Sequence, residues 1–150
     1  MLRIVRTDSS NKDFQELVAL LDAGLKIIDG DDAPFFAQFN KIDNINHVVV
    51  VYSEGKAVGC GAIKEYEPGT IEIKRMFVRE ENRGQGVAVA LLGELELWAS
   101  ELGFKTAILE TGIKMKPAVQ LYQKCGYQKM PNYGQYENVA ASVCMKKDLR

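Results

Sequence analysis

Apolar and polar positions along the chain change period repeatedly, and each change marks an element. Leu2, Ile4 and Arg6 alternate with Arg3, Val5 and Thr7 until Asp8 and Ser9-Ser10 close the segment, which predicts a short edge strand. Asn11 is placed to cap a helix. Phe14, Leu17, Val18 and Leu21 follow at spacings of three, one and three, which puts them on one helical face, and Gly24 marks the predicted end. After the acidic stretch Asp29-Gly30-Asp31-Asp32, the run Ala33-Pro34-Phe35-Phe36 predicts a second short helix through Phe39. Three strands come next, at residues 47–52, 57–64 and 70–78, separated by the turn residues Ser53-Glu54-Gly55-Lys56 and Glu67-Pro68-Gly69. They read as a meander.

Beyond Val78 the period becomes 3.6. Ala88, Leu91, Leu92, Leu95, Ala99 and Leu102 form one stripe, Glu94 and Glu101 lie off it, and Gly103 is the stop. A strand at residues 105–110 follows within a few residues, so the strand, helix and strand form a unit whose two strands run parallel. A last helix opens with Pro117, which a first turn tolerates, and carries Ala118, Leu121, Tyr122 and Cys125 on one face before Gly126. A loop at Pro131-Asn132-Tyr133-Gly134 leads to a final strand at residues 142–146. This order predicts an α/β chain with one mixed sheet and helices on both faces.

The 150 residues suit one domain spanning 1–150, and 47% hydrophobic with 26% charged residues is enough for a packed core. Nineteen basic against twenty acidic residues leave a net charge of -1, a poor footprint for nucleic acid, which attracts clustered positive charge. Cys60, Cys125 and Cys144 lie far apart with no CxxC pair, which points to reduced thiols and a cytoplasmic location. MLRIVRTDSS lacks the apolar stretch of a signal peptide, and no apolar run approaches the roughly 18 residues of a membrane span. One histidine, His47, and scattered cysteines assemble no metal set; His47 opens an apolar strand and reads as structural.

The chemistry concentrates at Arg83-Gly84-Gln85-Gly86-Val87-Ala88, where a strand turns directly into the strong helix. Small residues let a ligand approach the backbone, and the first N–H groups of a helix are unpaired and carry partial positive charge, so phosphate or pyrophosphate suits the turn. The plainer reading is a tight connection that uses glycine for its backbone freedom. A P-loop would need GxxxxGK before Ser or Thr, which is absent. The dinucleotide fingerprint needs a small residue where Val89 stands and an acidic residue about twenty positions on, and neither is present.

Arg83, Gly86 and Ala88 match the acyl-CoA signature of the GNAT superfamily of N-acetyltransferases. Ala118, Leu121, Tyr122, Gly126 and Tyr127 resemble that family's AxxLYxxxG(F/Y) helix. The resemblance spans residues 57–147, and Leu109-Glu110-Thr111-Gly112 with Ser142-Val143-Cys144 is similar to a small bacterial, single-domain subgroup. It implies the GNAT fold: a mostly antiparallel sheet with a parallel βαβ unit at the cofactor site. It also implies acetyl transfer from acetyl-CoA to a primary amine of a small molecule or peptide. The backbones of Met76, Phe77 and Val78 would hold the pantetheine arm like an added strand. The amides of Arg83, Gly84, Gln85, Gly86, Val87, Ala88 and Val89 would hold the pyrophosphate. Tyr122 would protonate the departing thiolate, although its place on an apolar stripe also suits plain core packing. An amine with a pKa near 10.4 costs about 4–5 kcal/mol to deprotonate at neutral pH, so a proton acceptor is needed.

Glu72 stands eleven residues before Arg83 (83 minus 72), the spacing of the catalytic glutamate in histone-acetylating members. Glu72 or a water relay would take the amine proton, with Glu110 a substitute; the competing reading pairs Glu72 with Lys74 or Lys64. Met115 stands where many members carry asparagine, so that contact is not carried over. Asp29, Asp31 and Asp32 could attract a cationic amine or simply be solvated, and Tyr133 and Tyr136 could wall the acceptor pocket or only pack a loop. The family tendency extends to homodimers. The alternative is a noncatalytic acyl-CoA-binding sensor or interaction module.

Overall fold

The computed structural model describes residues 1–30 and 44–149. The described elements run β1 (Leu2–Thr7), α1 (Lys12–Asp29), β2 (His47–Ser53), β3 (Lys56–Glu67), β4 (Thr70–Val78), α2 (Val87–Glu101), β5 (Thr106–Gly112), α3 (Lys116–Lys124), β6 (Gln128–Met130) and β7 (Ser142–Asp148). Their sheet has the order β1-β2-β3-β4-β5-β7-β6, with β1 at one edge. The first four strands pair antiparallel through short turns, β4 and β5 run parallel across α2, and β7 returns antiparallel between β5 and β6. The expected mixed sheet is therefore present.

Residues 48–51 are four consecutive valines, all fully buried, because both faces of β2 are covered. Val48 and Val50 pack with Phe14, Leu17 and Val18 of α1. Val49 and Val51 join Leu91, Leu92, Leu95 and Ala99 of α2 and Tyr122 of α3 on the opposite face. Ile108, Tyr133, Tyr136 and Cys144 form a third cluster where the C-terminal loop folds back. Each fully buried leucine here contributes about 1.5–3 kcal/mol.

α2 presses onto β3 because two positions of that strand lack side chains. A Cβ at Gly59 would stand 2.8 Å from Val87 Cγ1, and one at Gly61 would stand 2.7 Å from Met76 Sδ and 2.8 Å from Leu95 Cδ1. This approach sets the start of α2 against the end of β4.

Several expected boundaries shift. Asn11 does cap α1, its Oδ1 accepting from the Phe14 N–H at 2.9 Å, but the helix runs through Gly24 to Asp29. A glycine within a helix costs about 1 kcal/mol, less than the burial of Phe14, Leu17 and Val18 supplies, so Gly24 does not end it. β3 extends past Lys64 to Glu67. Ala88 is only half-buried and Leu102 is exposed, while Val87 joins the buried face of α2 instead. β6, three residues long, has no counterpart among the expected strands. The expected short helix at residues 33–39 lies outside the described residues, as do Asp31 and Asp32.

Candidate active site

β4 and β5 pair at only three positions, Thr70 with Thr106, Ile71 with Ala107 and Glu72 with Ile108. β4 continues to Val78 and β5 to Gly112, so beyond Glu72 the two strands part and leave a gap in the middle of the sheet. A bulge sits at the same place. Cys60 faces Phe77 while Ala62 faces Lys74, so Gly61 alone opposes two residues, Arg75 and Met76. Arg75 carries the distortion with φ of 59°, a left-handed conformation that costs a side-chain-bearing residue about 1–3 kcal/mol. Its carbonyl accepts from the Cys60 thiol at 3.4 Å, a thiol that burial pushes up to about 12. The edge of β4 that carries Met76, Phe77 and Val78, all half-buried, is thus the edge that β5 leaves without a partner.

At the far end of that edge the chain turns into α2. Gly84 has φ of 76° and Gly86, the residue before the helix, φ of 83°, conformations that suit glycine, and a Cβ at either would point into open space. No side chain caps the helix and its first turn holds no acidic residue. Arg83 folds back over the strand, its Nε donating to the Val78 carbonyl at 3.1 Å and its guanidinium 6.0 Å from the Phe77 ring centre. Residues 83–86 are exposed and Val87 is buried. The Arg83 N–H donates to the Glu80 carbonyl at 3.3 Å, and from Gly84 on the turn is an open row of backbone donors at the positive end of a 15-residue helix, a fit for pyrophosphate.

The gap opens into a cavity of about 150 Å³ that reaches both faces of the sheet. Met115, Ala118 and Tyr122 of α3 line it from one face, and Leu21 and Leu25 of α1 from the other. Tyr122 is 8% exposed, and Tyr127 packs edge-on against it at 5.9 Å. The Tyr127 hydroxyl donates to Glu96 at 2.9 Å, and Lys147 donates to the other Glu96 oxygen at 2.8 Å, so a fixed network backs Tyr122. Burial raises the Tyr122 phenol above its ordinary value, with Cys125 and Glu110 adding to the shift. The hydroxyl therefore keeps its proton throughout the neutral range, as a hydrogen-bond donor must.

On the α1 face stand Glu72, Lys74, Arg75, Glu110 and Tyr136. Glu72 is held on both oxygens: the Tyr133 hydroxyl donates to one at 2.7 Å, and Lys74 donates to the other at 3.4 Å. Both sequence readings of Glu72 thus meet in one place, a carboxylate that lines the cavity and is paired with Lys74. Tyr133 packs edge-on between Tyr66 and Tyr136, at 5.1 and 5.8 Å. Burial and the neighbouring Glu72 charge raise its phenol. Tyr136 is raised by burial, then by Glu110 and Glu72. Tyr136 lines the cavity directly, whereas Tyr133 is not among its lining residues and touches Glu72 from behind.

Sequence reasoning missed Arg75, Leu21, Leu25 and the Tyr133–Glu72 bond. Arg75 had a signal: Ile71 and Ile73 are buried two apart, and the alternation places an arginine where a third apolar residue is due, the mark of a broken pleat. His47 lies elsewhere, its ring 4.8 Å from Trp98. Among the described residues no three His, Cys, Asp or Glu side chains group as metal ligands, and no helix is long and apolar enough to cross a membrane.

The model of the acetyltransferase (GNAT) family matches residues 14–127. An uncharacterized N-acetyltransferase of Schizosaccharomyces pombe is 36% identical over 90 residues, which are 59% of this chain and 54% of that protein, so the chain spans about half its relative's length. A crystal structure described as a candidate acyl-CoA N-acyltransferase from Klebsiella pneumoniae superposes with a TM-score of 0.84 at 33% identity, covering 100% of this chain and 99% of that one. The PaiA N-acetyltransferase of Thermoplasma acidophilum, solved with coenzyme A, shares the fold at 14% identity with a TM-score of 0.73, covering 99% of each chain. With its sheet parted at β4 and β5 and the uncapped start of α2 beside it, the chain belongs to the GNAT acetyltransferase family.

Proposed function

We propose that the protein is an acetyl-CoA-dependent N-acetyltransferase, one GNAT domain that transfers acetyl to a primary amine of a small molecule or peptide. The observation that carries this reading is the gap beyond Glu72, an unpartnered strand edge that leads from the Tyr122 cavity to the donor row at the start of α2. The backbones of Met76, Phe77 and Val78 would hold the pantetheine arm, and the amides from Gly84 through Val89 the pyrophosphate, the Arg83 amide being taken by the Glu80 carbonyl. The bulge at Arg75 and Met76 breaks the ladder beside the cavity, and backbone donors released there would polarise the thioester carbonyl.

The chemistry needs two proton movements. The amine nitrogen attacks the acetyl carbon directly to form a tetrahedral intermediate, whose collapse breaks the carbon–sulfur bond; the amine loses a proton and the sulfur gains one. Glu72, or a water it holds, takes the first. Tyr122 donates to the developing thiolate. A free thiol has a pKa near 8.5, below that of the buried phenol, so the proton passes from Tyr122 only along a hydrogen bond formed as charge builds on sulfur, and the phenol regains one from solvent afterwards. A cytoplasmic location accompanies this reading, with Cys60, Cys125 and Cys144 all carried as thiols.

The test is release of CoA thiol from acetyl-CoA in the presence of a panel of amines, amino acids, polyamines and peptides. The transferase reading requires amine-dependent thiol release with at least one of them. Acetyl-CoA binding without thiol release from any acceptor would instead support a noncatalytic sensor.

A further inference from the structure

The cavity holds charges of both signs, and their arrangement bears on what the acceptor carries besides its amine. Consecutive strand residues normally point to opposite faces. At the bulge they do not: Lys74 stands opposite Ala62, which packs under α1, and the guanidinium of Arg75 pairs with Asp22 of α1, Nη2 to Oδ1 at 2.6 Å. Two cations therefore stand side by side on the α1 face of the gap. Lys74 is shared with Glu72, whereas Arg75 keeps a donor in reserve. Its side chain is 3% exposed, and its Nε is shielded from solvent with no acceptor among the described residues.

A guanidinium in such a place is costly on three counts: it is buried, its backbone is strained, and one of its donors is unmatched. Asp22 fixes the group but satisfies only one nitrogen and is itself 43% exposed. These costs fall on a residue that lines the cavity, between the edge proposed for the donor and the two carboxylates, Glu72 and Glu110, that suit an amine. An acceptor with an amine alone would meet the carboxylates and leave the Arg75 donor dry. An acceptor that also bears a carboxylate would meet both, since arginine binds carboxylates through charge-assisted hydrogen bonds.

We propose that Arg75, with Lys74 beside it, is a carboxylate-binding subsite, and that the acceptor is an amino acid or a related amino-carboxylate. This rests on the transferase reading above. The Asp22 pair anchors one nitrogen of the guanidinium, the Nε donor swings out of its shielded position to meet the carboxylate, and the amine end is left toward Glu72 and Glu110.

The experiment measures thiol release with the twenty protein amino acids, each paired with its carboxamide and its decarboxylated amine. The expected result is at least one amino acid whose kcat/KM exceeds that of its carboxamide by roughly 10- to 100-fold. Arg75→Gln should then bring the acid-to-carboxamide ratio of kcat/KM to within about 3-fold of one, whatever it does to the absolute rates, and still give a thermal shift with acetyl-CoA. Arg75→Lys should fall between. Equal rates for acids and carboxamides, or a preference for acids that survives in an Arg75→Gln protein that still binds acetyl-CoA, would overturn the subsite. The ratio in the unaltered protein decides by itself if the variant does not fold. Thiol release with amines that lack a carboxylate, and with none that has one, overturns this proposal alone; no release with any acceptor overturns the transferase reading as well.

Discussion

The two sides of the gap are built by different means. The side proposed for the acyl donor comes from one stretch of chain, from Met76 to Val89, and presents chiefly backbone: a strand edge that β5 abandons and the uncapped start of α2. The α1 side is assembled from distant residues. Tyr133 reaches Glu72 across 61 positions and Arg75 reaches Asp22 across 53, and both contacts are made by side chains. A backbone site needs only glycines at the right turns and a helix in the right place, so many sequences can build it. A side-chain site changes its ligand with each substitution. One side is suited to a common donor and the other to a particular acceptor.

Two substitutions separate these roles, the larger first. Tyr122→Phe removes a donor at the cavity and leaves the backbone site intact; kcat should fall by about 100-fold or more while acetyl-CoA affinity stays within about 2-fold, as steady-state kinetics and calorimetry would read. Loss of affinity equal to the loss of rate would mean that Tyr122 belongs to the binding surface. Tyr133→Phe takes the hydroxyl donor from Glu72 and should lower kcat by roughly 10-fold, with acetyl-CoA affinity again unchanged. A rate equal to that of the unaltered protein would show that Glu72 needs no such positioning.

The same division explains what could be read from the sequence. The side proposed for the donor was legible because its parts are local: glycines between a strand and a helix, and a strong apolar stripe after them. The α1 side was legible only in pieces. Glu72 and its pairing with Lys74 follow from spacing along one strand, but the bulge at Arg75 depends on register with β3, a relation between two strands. Tyr133 lies in a loop whose path is set by the packing of Ile108, Tyr136 and Cys144. Gly24 misled for the same reason: tertiary burial of Phe14, Leu17 and Val18 outweighs the local cost of a glycine. β6 pairs at only three positions and is too short to show a period of two.

The most direct test of the account is amide hydrogen exchange, read residue by residue by NMR with and without CoA. CoA should slow exchange at the gap-facing amides of residues 74–78 and at residues 84–89, with β1 and β2 unchanged. CoA binding that leaves both segments unprotected, or that protects a different edge of the sheet, would contradict it.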